Sequence, residues 1–147
     1  MDTTITHSAD LSSQPLPIVQ SYCRGAQFTT VNVGRSAATD DKGEERHSCT
    51  TLAVKSATPV TAADVFGLLW ANGLYPEISA EELAALAERF ALAAYDALAA
   101  ALIAGRYTYA EELACHRKAI LGQTAELEEL AAFADECKAR ARAVFPE

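Results

Sequence analysis

His47 and Cys49 stand two residues apart in RHSCTTLAV (46–54), a stretch rich in Thr and Val. In a strand, residues two apart point to one face. An imidazole there could take the proton of the neighbouring thiol, the arrangement a thiolate nucleophile needs. Cys115 and His116 form a second pair. They are adjacent in a helical stretch and project about 100° apart, which suits a single metal ion poorly. Cys23 would complete a tetrahedral ligand set in number, but the four cysteines (Cys23, Cys49, Cys115, Cys137) form no CxxC pair. No metal site is therefore expected. His47, Cys49 and His116 remain as a candidate polar site.

His116 and Cys137 also have plain packing explanations. His116 lines up with Tyr109, Leu113 and Ile120, an apolar stripe at helical spacing. A hydrogen-bonded core or interface histidine is the simplest reading, with a pH-sensitive contact as another. Cys137 lines up with Leu130, Ala134, Ala141 and Val144 and reads as a small core residue. Lys138, Arg140 and Arg142 end the last helix, where positive charge complements the helix dipole. The chain contains no GxGxxG, GxxxxGK[ST], HExxH or GxSxG motif, so no cofactor is expected.

Asp96 is the single charge in FALAAYDALAAALIA (90–104). If one helix runs from Ser79 to about Gly105, Asp96 continues a charged stripe with Glu81, Glu82, Glu88 and Arg89. It then reads as a solvated carboxylate. Leu92 and Ile103 fall on the same stripe, where polar residues would be expected. A helix apolar nearly all round is buried or meets a partner. Leu92, Ile103, Asp96 and Glu88 are therefore expected at an interface. The acidic helix starts, Glu81 with Glu82 and Glu111 with Glu112, form a further acidic surface that is expected to bind a partner with this stripe or in its place.

These residues need elements to position them. Residues 1–17 are rich in Ser, Thr and Asp and read as a flexible tail. AQFTTVNV (26–33) and RHSCTTLAV suit two antiparallel strands joined by a long polar loop. PIVQSY (17–22) offers a third strand. From residue 58 the pattern turns helical, and four helices are expected. Thr61 with Asp64 opens the first, and Asn72-Gly73 ends it. Ser79 with Glu82 forms a capping box for the second. Thr108 with Glu111 opens the third, which ends near Gly122. Thr124 caps the last, which stops before Pro146. The expected fold is one α+β domain over 18–147. An N-terminal antiparallel hairpin of two or three strands (18–57) packs on a mainly α-helical C-terminal part (58–147).

Net charge is −8 and the pI about 4.8. Seven of the excess acids fall in residues 61–147, where fourteen acids face seven bases. This argues against direct nucleic-acid or anionic-membrane binding. The start has no basic n-region and no apolar h-region, so a cytoplasmic protein with reduced thiols is expected. The expected function is a non-enzymatic protein-interaction module. One form of it is a small acidic inhibitor or accessory protein that occupies the nucleic-acid-binding surface of a protein or ribonucleoprotein target. A homodimer is a further form. The alternative is a small enzyme or ligand-binding domain built on the Cys and His residues above.

Overall fold

The computed structural model describes residues 1–8, 17–24 and 26–146, with side chains described for these except 7, 8 and 20–27. It is an α+β protein. Among the described residues there are four strands, β1 (Asp2–Ser8), β2 (Val19–Arg24), β3 (Ala26–Thr39) and β4 (Glu45–Ser56). Five helices follow, α1 (Ala62–Ala71), α2 (Ala80–Arg89), α3 (Tyr95–Arg106), α4 (Tyr109–Ile120) and α5 (Ala125–Val144). A 3-10 turn, Tyr75–Glu77, precedes α2. No helix among the described residues is long and apolar enough to cross a membrane. The described chain divides into two compact units, residues 1–60 with 76–89 and residues 61–75 with 90–147.

The first unit holds the sheet, in strand order β1-β4-β3-β2 with every pair antiparallel. Two expectations need correction. Residues 2–8, read as part of a tail, form an edge strand. DTTITHS is rich in β-branched residues, and its backbone satisfies the outer edge of β4 from Asp2↔Lys55 to Ser8↔Cys49. The long polar loop is mostly strand as well. Register shifts between Val33 and Ser36, at a bulge where Gly34 adopts φ +62°, and pairing then continues to Thr39↔Glu45. Only a short turn remains. The Asp40 carboxylate accepts the N–H groups of Lys42 and Glu44 and a bond from Arg46, and Gly43 takes φ +78°. Those donors hold the Asp40 carboxyl below the usual carboxylate range.

One face of the sheet is apolar. Val31 opposes Leu52, Val33 opposes Thr50 and Thr29 opposes Val54, and all six are buried. Within this unit α2 approaches β2 and buries Leu83, Leu86 and Ala87. The capping box at the start of α2 forms as the sequence implies. Ser79 Oγ accepts from Glu82 N at 3.1 Å, and Glu82 Oε1 accepts from Ser79 N at 3.3 Å. Ser79→Ala should cost about 1 kcal/mol in urea denaturation. A change below about 0.2 kcal/mol would place the stabilisation of this turn elsewhere.

The second unit is helical. α1 packs on α3, and α3 and α4 each pack on α5. α1 and α3 cross at two glycines: a Cβ on Gly67 would lie 2.6 Å from the Gly105 carbonyl oxygen. Trp70, Tyr75, Tyr107 and Phe133 cluster with ring centroids 5.0–6.0 Å apart. The Arg106 guanidinium lies over three of these rings and is ion-paired to Glu129. The helices number five rather than four because the expected second helix is broken. The chain leaves α2 at Arg89 and restarts at Tyr95, with Ala91 at φ 55°. The break is where the chain passes from the first unit to the second.

Candidate interaction surface

The helix break changes the surface first expected. Glu81 and Glu88 belong to α2, Asp96 and Ile103 to α3, and Leu92 to the link between them. No single helical stripe carries all five. Asp96 is exposed in the first turn of α3, while Leu92 and Ile103 are half-buried. Glu82 is only 4% exposed, with Oε1 in the capping box and Oε2 without a hydrogen-bond partner, so it is not a surface carboxylate. Glu81 lies 3.6 Å from Arg35 on β3, a largely exposed pair of little energetic weight.

The exposed apolar face lies on α4. Its start is fixed by a capping box: Thr108 Oγ1 accepts from Glu111 N at 3.3 Å, and Glu111 Oε2 accepts from Thr108 N at 2.7 Å. The Thr108 donors keep the Glu111 carboxyl below its ordinary range. The helix ends at Ile120 with Leu121 as its C-cap, followed by Gly122 at φ +85°. These two ends set which residues face inward. Cys115 is buried. Lys118 reaches Glu126 of α5 at 2.6 Å. A cleft of about 400 Å³ between these helices is lined by Tyr107, Cys115 and the paired charges Arg106, Lys118, Glu126 and Glu129.

The stripe Tyr109, Leu113, His116 and Ile120 points elsewhere. At 100° per residue it spans about 60° and is centred about 130° from Cys115. Tyr109 is 80% exposed, Leu113 37% and Ile120 84%, and Leu121, just past the helix end, is 79% exposed. His116 is exposed too, so the core reading of it is corrected: the stripe was legible, but it faces water. Three large apolar side chains on one face of a helix form the kind of patch that marks an interaction site. Of the acids first singled out, Glu111 and Glu112 are the two that belong to this helix.

The alternative polar site is divided between the two units, with His47 and Cys49 on β4 and His116 on α4. Cys49 is buried, and its thiol donates to Asn32 Oδ1 at 3.7 Å. Thr51 Oγ1 donates to the same oxygen at 2.6 Å, and Asn32 Nδ2 donates to Pro17 O at 2.6 Å. This network satisfies a buried amide and ties residue 17 to β3 and β4. His47 lies 3.6 Å from Glu45. Cys23, the further ligand considered, has its side chain outside the described residues. Among the described residues no three His, Cys, Asp or Glu side chains gather as a metal-binding group.

Cys137 is the core residue the sequence implies. It is fully buried, 3.4 Å from the Tyr75 hydroxyl. Burial pushes both the thiol and the phenol up, so both stay neutral at ordinary pH. Arg140 also serves the fold beyond its helix end, donating to Tyr75 O at 3.0 Å and covering the Tyr75 ring. Sequence reasoning missed the exposure of Tyr109, Leu113 and Ile120, and it missed Leu121 altogether. The available signal was the 4-3-4 apolar spacing with Glu112 and Arg117 on its flanks, the pattern of a helix seam awaiting a second helix. No protein-family model, curated protein or solved structure matches this chain.

Proposed function

We propose that the chain is a non-enzymatic protein-interaction module that presents the apolar face of α4 to another polypeptide. The observation that carries this reading is the exposure of Tyr109, Leu113 and Ile120 on a helix whose opposite side is packed and ion-paired to α5. Burying a large apolar side chain contributes about 1.5–3 kcal/mol before association costs, so a few such residues decide a moderate affinity. The surrounding charge is mixed rather than basic, with Glu112 on one flank and Arg117 on the other. A protein surface suits this better than a nucleic-acid backbone.

The test uses the tagged full chain and a Tyr109→Ser, Ile120→Ser double variant. Both are exposed to the untagged chain and to lysate of the source cells. The wild type should retain a polypeptide that the variant loses by about tenfold or more, while the two give the same circular dichroism spectrum. Equal retention by both would overturn the assignment of α4 as the docking surface.

A further inference from the structure

We infer that the occupant of the α4 face is a second copy of the same helix, paired in parallel. This rests on the interaction reading above and names its partner. Tyr109, Leu113, His116 and Ile120 follow the alternating spacing of a two-stranded coiled-coil seam, four core layers over the 12 residues of α4. Their layers in a parallel pair are like on like.

The flanking charges set the direction. Of the four ionised side chains on α4, Glu111 is used by the capping box and Lys118 by Glu126. The other two, Glu112 and Arg117, make no ion pair among the described residues. They lie on opposite edges of the seam, five positions apart. In a parallel pair that spacing brings Glu112 of one copy against Arg117 of the other, and two-fold symmetry repeats the contact. In an antiparallel pair like edges meet, so Arg117 would face Ala110 and Glu112 would face Ala119. The antiparallel arrangement leaves both charges without a partner. Within the helical unit the seam is turned well away from the inward face of α4, which is occupied by α5.

Sedimentation equilibrium of the full chain should show a reversible dimer with a dissociation constant on the order of 10–100 μM. Glu112→Arg alone and Arg117→Glu alone should each weaken it about tenfold, because each change sets two like-charge contacts in place of two ion pairs. The charge-swapped double variant should recover to within about threefold. Arg117 is exposed and Glu112 half-buried; each variant is required to keep the wild-type circular dichroism spectrum, and both then remain informative if apolar variants lose solubility.

Direction is read separately with Tyr109→Cys. Oxidation should give a dimer linked through residue 109, identified by peptide mapping. The unchanged chain, treated alike, serves as the control. In an antiparallel pair the two sites would be about 16 Å apart along the axis and could not be joined. No recovery in the double variant, or no 109–109 link, would overturn the parallel pairing. A chain that stays monomeric to about 1 mM yet retains another protein through α4 would overturn the second-copy inference and leave the interaction reading standing. A chain that does neither would overturn both.

Discussion

Gly67→Ala should destabilise the helical unit by about 2–3 kcal/mol, although alanine is the better helix former. The added Cβ would sit 2.6 Å from the carbonyl oxygen of Gly105, a backbone atom that no rotamer change can move. α1 and α3 would have to part, loosening the packing of Phe66, Leu69, Leu98 and Leu102, all fully or almost fully buried. The propensity gain of roughly 1 kcal/mol is smaller than this loss. Gly105→Ala meets the same crossing from the other side, at 2.9 Å from Gly67 N and from Phe66 Cβ. The two changes should therefore be less than additive in combination. Urea denaturation checks both; an unchanged or raised midpoint for Gly67→Ala would mean that the helices do not approach so closely.

Phe133→Ala should cost still more, about 3–5 kcal/mol. Phe133 is the hub of the aromatic cluster. Its ring meets Trp70 edge-on at 5.0 Å, lies 5.8 Å from Tyr107 and 6.0 Å from Tyr75, and sits 4.9 Å beneath the Arg106 guanidinium. Truncation would remove the transfer free energy of a buried ring and leave a cavity that rigid aromatic neighbours cannot close. Phe133→Leu keeps most of the volume and should lose under about 2 kcal/mol. The same denaturation measurement applies, and a loss below about 1 kcal/mol for the alanine variant would show that the cluster is loosely packed.

Much of this fold is legible in the sequence where local chemistry decides. Thr61, Ser79 and Thr108 each open a helix with the acidic partner three residues on that the sequence implies. Thr124 stands at the right boundary but acts otherwise, its hydroxyl donating to the Glu128 side chain instead of capping a backbone N–H. What the sequence concealed is set by distant parts of the chain. FALAAYDALAAALIA has high helix propensity throughout, yet the helix is interrupted at Ala91, where the chain changes unit. Nothing local in an alanine-rich run encodes that. The β1 strand is hidden for the same reason, since seven polar and β-branched residues become a strand only when β4 offers an edge.

The candidate surface divides along the same line. Periodicity placed Tyr109, Leu113, His116 and Ile120 on one face of α4. It could not say whether that face met core or water, because both readings give the same spacing. Only the position of α5 resolves it: once Cys115 and Lys118 turn toward α5, the stripe must turn away. The acidic residues of the expected stripe are divided differently. Glu82 has a local role in its capping box and is buried by it, while Glu81, Glu88 and Asp96 were joined only by a helix that does not continue.

The most direct test asks whether the α4 stripe serves folding or serves a partner. Urea denaturation of the wild type and of the Tyr109→Ser, Ile120→Ser variant should be compared at about 1 μM, well below the expected dimer constant. If the stripe is a docking surface, the two stabilities agree within about 0.5 kcal/mol. A loss of more than about 3 kcal/mol would show instead that these side chains are core, and the assignment of α4 as an interaction surface would fall.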